Sequence, residues 1–281
     1  MLIQHRCHAP PATWCWALAL TLFSTALAAA ESCSRPIVVG VTPAGNAVTV
    51  SADGKIGGLY VEILNQVARN GNCVFSYEAL PRARAHHMFQ GNNIDILAPA
   101  AQSEERDKTG EFVTSSTMAI TLITPKNKSA NALAALEKGE LLVNIVRGFD
   151  FGPEYHKLVA KLQARSMLEE VVDSDTVARK MQAGRIDATI MPALTFYPSA
   201  FEAGLAQNLV ATVIPDIAGI TAGIYLSRQN LAPEDRAHIA LHFRKFVQSG
   251  DFWRMLKARY AADWALTGYQ TAGPTKPAPG K

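Results

Sequence analysis

Three segments decide the fold class: Ile37-Val38-Val39-Gly40-Val41, the helix-spaced Leu59, Ile63 and Val67, and the run from Cys73 to Ala79. The first is short, apolar and β-branched, the pattern of a strand buried on both faces. A turn-rich stretch follows and ends in Asp53-Gly54-Lys55. Leu64 and Ala68 stand beside the helical positions, and Asn70-Gly71 supplies the stop. Strand, helix and strand in that order form the unit from which parallel sheets are built.

Working outward, the alternation continues. Pro81 opens a helix carrying Ala85, Met88 and Phe89, and Ile94-Asp95-Ile96-Leu97 reads as a third strand. Ser103-Glu104-Glu105-Arg106 is a helix start, a hydroxyl cap followed by acids in the first turn. Thr117 to Thr124 is extended and leads to the polar break Pro125-Lys126-Asn127-Lys128, which suggests a crossing between lobes. The second half repeats the pattern, with strands at Leu141 to Val146, Val171-Val172, Ile186 to Ile190 and Leu209 to Ile214. Thr221 to Ser227 reads as the return crossing, and helices opened by Pro233 and Asp251 follow. The predicted organisation is a discontinuous first lobe (31–120 and 225–264), a second lobe with the hinge strands (121–224), and a Gly/Pro/Lys-rich tail expected to be disordered (265–281). In such sheets ligands sit beyond the carboxyl ends of strands. The loops after Leu97, Val146 and Ile190 are therefore where a site is expected.

The chain has 281 residues, 18% charged and 48% apolar, with a net charge of +3. That balance is globular and gives no argument for nucleic acid or an anionic membrane. At the N-terminus Met1–Ala30 carries Arg6 and no acid, an apolar run from Trp14 to Leu27, and small residues before Glu31. This is the composition of a secretory signal peptide, with cleavage after Ala28 or Ala30. The competing reading, a membrane anchor, requires roughly 18–20 apolar residues. Cys7 and Cys15 leave with the leader, and Cys33 and Cys73 remain as an even pair in an oxidising compartment. Their places at the starts of two neighbouring parallel strands predict a Cys33–Cys73 disulfide, the alternative being two unlinked buried thiols. No metal-ligand cluster, Gly-x-Ser-x-Gly or phosphate loop occurs, so neither metal nor cofactor is expected.

Several stretches, taken in order, resemble the periplasmic solute-binding proteins of ABC transporters, in the family that includes the polar amino-acid binders. They are Gly54-Lys55-Ile56-Gly57-Gly58-Leu59-Tyr60-Val61-Glu62-Ile63, Leu80-Pro81-Arg82-Ala83-Arg84-Ala85, Gly91-Asn92-Asn93-Ile94-Asp95-Ile96, Ser103-Glu104-Glu105-Arg106, Gly184-Arg185-Ile186-Asp187-Ala188, and Ser249-Gly250-Asp251-Phe252-Trp253 with Tyr260. The resemblance implies an α/β fold of two Rossmann-like lobes joined by a two-strand hinge, the type II periplasmic binding protein. It also implies a periplasmic, monomeric protein that closes on a small-molecule ligand and delivers it to an ABC permease or a membrane sensor.

The resemblance further gives Arg106 the role of holding a ligand carboxylate, for which a planar guanidinium is suited. On spacing alone Arg106 would read as a surface side chain paired with Glu104, Glu105 or Asp107. Around it, Ser103, Pro99, Ala100, Tyr60 and Arg84 are expected on the first lobe. Gly148, Phe149, Asp150 and Met191 are expected on the second. Asp95 and Asp187 are expected to be structural, and His86-His87 a solvated helix face. Three departures mark this chain. Met191-Pro192 stands where amino-acid binders carry an acid for the ligand ammonium. No aromatic occurs near Ala47-Val48, a place Tyr60 or Phe149 would have to fill. Asp150 occupies the place of a hydroxyl, where it repels a carboxylate or receives an ammonium. The rival functions are a dehydratase-like enzyme using Asp150 or Glu154, and a ligand-presenting partner of a sensor.

Overall fold

The computed structural model describes residues 32–273, so the expected signal peptide and the last eight residues lie outside the described part. The opening unit forms as the sequence predicts. Strand β1 (Ile37–Val41) buries Ile37, Val39 and Val41, and a small hairpin of β2 (Thr49–Val50) and β3 (Ile56–Gly57) leads to α1 (Leu59–Asn70). Helix α1 turns Leu59, Ile63, Leu64 and Val67 onto the sheet, and β4 (Phe75–Ala79) returns parallel to β1. The first lobe continues through α2 (Arg82–Gln90), β5 (Ile96–Ala101), the single turn α3 (Glu104–Asp107) and β6 (Gly110–Met118).

The second lobe comprises β7 (Thr121–Pro125), α4 (Ala132–Lys138), β8 (Val143–Val146), α5 (Pro153–Ala164), β9 (Leu168–Val171), α6 (Ser174–Gln182), β10 (Ala188–Met191), α7 (Ala193–Glu202) and β11 (Leu209–Val213). The chain then re-enters the first lobe as β12 (Ile220–Ser227), α8 (Pro233–Gln248) and α9 (Asp251–Arg259). It closes with a 3-10 turn at Asp263–Leu266 and β13 (Tyr269–Thr271).

The two sheets share one plan. In the first lobe the order is β13-β6-β12-β5-β1-β4, and in the second β11-β7-β10-β8-β9. Each has a parallel triplet, β4-β1-β5 or β9-β8-β10, flanked by antiparallel strands supplied by the crossings. Among the described residues no helix is long and apolar enough to cross a membrane.

Two details differ from the sequence reading. Residues Ile220 to Ile224 pair with β6 and therefore belong to the first lobe, so the return crossing lies before Ile220 and not within Thr221–Ser227. The tail is ordered beyond Leu266: Tyr269, Gln270 and Thr271 pair with Met118, Thr117 and Ser116. The 3-10 turn that precedes β13 packs on the second lobe. Trp264 Nε1 donates to Ala206 O at 2.6 Å, and its ring lies 5.8 Å from that of Tyr197. Residues 260–271 thus leave the first lobe, anchor on the second and return, forming a strap beside the two crossings. Gly268 makes the tight passage possible. Its φ is +70°, and a Cβ there would sit 2.6 Å from Ala119 Cβ in the first crossing.

The structure bonds Cys33 to Cys73, with Cα atoms 4.9 Å apart. Asp95 is fully buried and accepts both terminal guanidinium nitrogens of Arg35, the Val38 N–H and the Asn230 amide. Asp187 pairs with Lys128 and accepts the Leu142 N–H at 2.8 Å. Both aspartates hold chain segments together.

Candidate functional site

A cleft of about 1230 Å³ lies between the lobes at the carboxyl ends of the parallel strands. Its first wall is the end of β5 and the turn into α3, where Pro99, Ala100, Ala101 and Ser103 face the space, with Leu59 and Tyr60 from the start of α1. The opposite wall is the β8–α5 loop, Gly148 to Phe151, the start of α6 at Ser174 and Asp175, and the first turn of α7 after Pro192. The strap adds Tyr260 and Tyr269. All three loops expected from the topology meet here.

Of the anticipated residues, Pro99, Ala100, Ser103, Tyr60, Gly148, Phe149 and Asp150 line the cleft. Gly148 holds φ +81° with open space around its Cα, so the backbone turn itself demands glycine there. Arg106, Arg84 and Met191 are not among the lining residues. The Arg106 guanidinium donates through Nε and one terminal nitrogen to Ala101 O, at 3.2 and 2.6 Å, and lies 5.7 Å over the Tyr225 ring. One carbonyl and an aromatic face hold it against the first lobe, while its other terminal nitrogen makes no hydrogen bond among the described residues. There it braces the turn that Ser103 caps by accepting the Arg106 N–H. Arg84 is exposed on α2. Two positions on a helix differ by roughly 200° in direction, and it is Arg82 that reaches the cleft. Met191 is buried beneath the wall, and the next residue, Pro192, forms its surface.

The charge of the lining was not apparent from single motifs. Among the described residues Glu104, Asp107, Asp150, Asp175 and Glu202 all line the cleft, against the single guanidinium of Arg82. Asp107 accepts the Tyr225 hydroxyl at 2.7 Å, Asp175 accepts the Ser199 hydroxyl at 2.6 Å, and Asp150 accepts the Gly152 N–H and meets His156 Nε2, both at 2.8 Å. Tyr60 hydrogen-bonds Ser115 at 2.9 Å, and burial raises its phenol to about 12. Burial likewise raises Tyr260 to about 12. The cleft phenols are therefore neutral across the physiological range. Among the described residues no group of three or more His, Cys, Asp or Glu side chains is placed to hold a metal ion.

No family model matches the chain, and no curated protein matches it in sequence. Solved structures do match. A histidine kinase sensor domain with similarity to periplasmic binding proteins aligns with 81% of this chain and 96% of its own, at TM-score 0.58 and 18% identity. An ancestral cationic amino acid solute-binding protein aligns with 80% and 95%, at TM-score 0.66 and 14% identity. A polar amino acid ABC uptake transporter substrate-binding protein from Streptococcus thermophilus aligns with 82% and 87%, at TM-score 0.64 and 13% identity. At these identities the likeness establishes the fold, the two-lobed architecture of the periplasmic binding proteins.

Proposed function

We propose that this chain is an exported solute-binding protein that captures a small polar solute of amino-acid size between its lobes, without transforming it, and delivers it to an ABC permease. The observation that carries the reading is the cleft itself: about 1230 Å³, at the carboxyl ends of both parallel triplets and bounded by the crossings. That is where ligands enter open α/β sheets. The signal-like leader and the Cys33–Cys73 disulfide suit a periplasmic location. Several fold neighbours are described as amino acid substrate-binding proteins, one of them bound to L-arginine.

An enzyme of the same fold has less support. The fold neighbours reported above are described as binding proteins or a sensor domain, not as enzymes. A second binding role, presentation of the solute to a membrane sensor, is favoured by the likeness to a histidine kinase sensor domain and uses the same capture step.

The test is a thermal-shift screen of amino acids, amines and small carboxylates, with Thr195→Trp beside the wild type. Thr195 is an exposed cleft-wall position on α7. A solute at about 100 times its Kd stabilises by roughly 2.7 kcal/mol, or on the order of 5–10 °C for a chain of this size. The expected result is a shift in the wild type that the cleft-filling variant loses. Failure of every solute class to shift the wild type would overturn the reading.

A further inference from the structure

The cleft is strongly biased in charge. Carboxylates come from both lobes: Glu104 and Asp107 from α3, Asp150 from the β8–α5 loop, Asp175 from α6 and Glu202 from the end of α7. Among the described residues Glu104 and Glu202 make no hydrogen bond or ion pair with the protein, so both retain full acceptor capacity. Among the described residues Arg82, at the start of α2, is the single lining guanidinium; it is exposed, as Glu104 and Glu202 are, and is outnumbered five to one.

Several features that would favour an anion are already occupied by the chain, although the start of α7, which also lines the cleft, has no acid in its first turn and no side-chain cap. Helix N-termini attract negative charge. At α3 that place is taken by Glu104 and Glu105 in the first turn, and at α6 by Asp175 together with the capping Asp173, which accepts the Thr176 N–H at 2.7 Å. At α5 it is taken by Asp150, on the Gly152 N–H, and by Glu154 in the first turn. Arg106, expected to hold a carboxylate, spends Nε and one terminal nitrogen on Ala101 O and does not line the cleft.

Tyr260 is an independent pointer. It is 4% exposed, it lines the cleft, and its hydroxyl has no hydrogen-bond partner among the described residues. A buried neutral phenol with free lone pairs and an aromatic face accepts a cation by either route. Tyr60 and Phe149 add further aromatic surface to the same walls.

We propose that the cleft selects a positively charged solute, an organic ammonium or guanidinium compound, and that its recognition does not require a carboxylate on the solute. This deepens the capture reading and rests on it. Glu104 on the first lobe and Glu202 on the second are the residues that set the charge preference.

The test pairs each cationic amino acid with its decarboxylated amine: L-arginine against agmatine and L-lysine against cadaverine, with L-glutamate and L-glutamine as further arms. Binding to the whole exported chain is measured by titration calorimetry. Agmatine or cadaverine is expected to bind within about threefold of its parent amino acid, or more tightly, and glutamate not at all. Glu104→Gln with Glu202→Gln is expected to weaken amine binding roughly tenfold or more while leaving the ligand-free melting temperature in place. Three outcomes would overturn the inference while the capture reading stands: loss of roughly thirtyfold or more on decarboxylation, preference for glutamate or glutamine, or unchanged amine affinity in the double variant. Absence of binding in every arm and in the broader screen would remove both.

Discussion

Replacing Trp264 with Ala tests whether the strap ties the two lobes into one cooperative unit. The ring is 8% exposed, packs against Phe196 and Tyr197 of α7, and donates from Nε1 to Ala206 O. Truncating a buried aromatic costs about 3–5 kcal/mol, and the orphaned carbonyl adds about 1 kcal/mol if water does not reach it. The expected loss is therefore about 4–6 kcal/mol, a fall of roughly 8–24 °C in Tm for a chain of this length. The apolar core is continuous from β1 and α1 through Tyr260, Ala262 and Trp264 to α6 and α7. Wild-type protein should thus unfold in urea as one transition. Trp264→Ala should separate it into two, each with a smaller denaturant slope. Trp264→Phe, which keeps the ring packing and loses the hydrogen bond, should cost about 1–2 kcal/mol and retain one transition. A loss under about 1 kcal/mol with a single unchanged transition would show that the strap merely lies on the second lobe, contrary to the packing described.

Two further predictions concern the frame around the cleft. Asp95→Asn removes the charge that holds Arg35 while placing an amide donor among the other donors. Breaking a buried pair costs about 3–5 kcal/mol, but Arg35 is 41% exposed, so about 2–3 kcal/mol is expected by urea titration. A change under about 0.5 kcal/mol would contradict the structural role given to Asp95. Replacing Cys33 and Cys73 together with Ser opens a link spanning 40 residues and should cost about 2–4 kcal/mol. A reductant should then lower the Tm of wild type and leave the double variant unmoved.

The parts of the fold readable from sequence are those where a periodic pattern and a stop signal coincide. The run Ile37–Val41, the Leu59-Ile63-Val67 face and Asn70-Gly71 fix strand, helix and turn locally, and the parallel pairing follows. The return boundary was missed because Ile220 to Ile224 is extended and apolar whether it spans the hinge or joins a sheet. Only its pairing with β6 settles the matter. The strand Tyr269–Thr271 is three residues long and flanked by glycine, so neither length nor composition announces it. At the site, loop positions were readable because strand ends fix them. Side-chain directions were not. Arg106 turns inward because Ala101 O and the Tyr225 ring are within its reach, and Tyr225 comes from a strand far along the chain. The acidic character of the cleft arises from residues on four separate elements, α3, the β8–α5 loop, α6 and α7, far apart in the sequence.

Carboxylates on both lobes also connect recognition to closure. Any rotation that narrows the cleft brings Glu104 and Asp107 toward Asp150, Asp175 and Glu202. Like-charge repulsion rises as the separation falls, and rises further as departing water lowers the local dielectric. A cation between the two sets reverses the sign of that interaction. On the proposed reading, then, the empty cleft resists closing and the filled one favours it. The extent of the shift is set by the solute's preference for the closed arrangement. The strap bounds the movement, since Trp264 is fixed to the second lobe and Tyr269–Thr271 to the first. Rotation must be absorbed between them, and Gly268, with φ +70° against Ala119 of the first crossing, lies in that interval. Tyr260 stands at the other end of the strap, its ring 5.3 Å from Tyr197 of α7. A solute that engages the Tyr260 hydroxyl therefore touches the element that limits opening, and its charge and its contact act on the same motion.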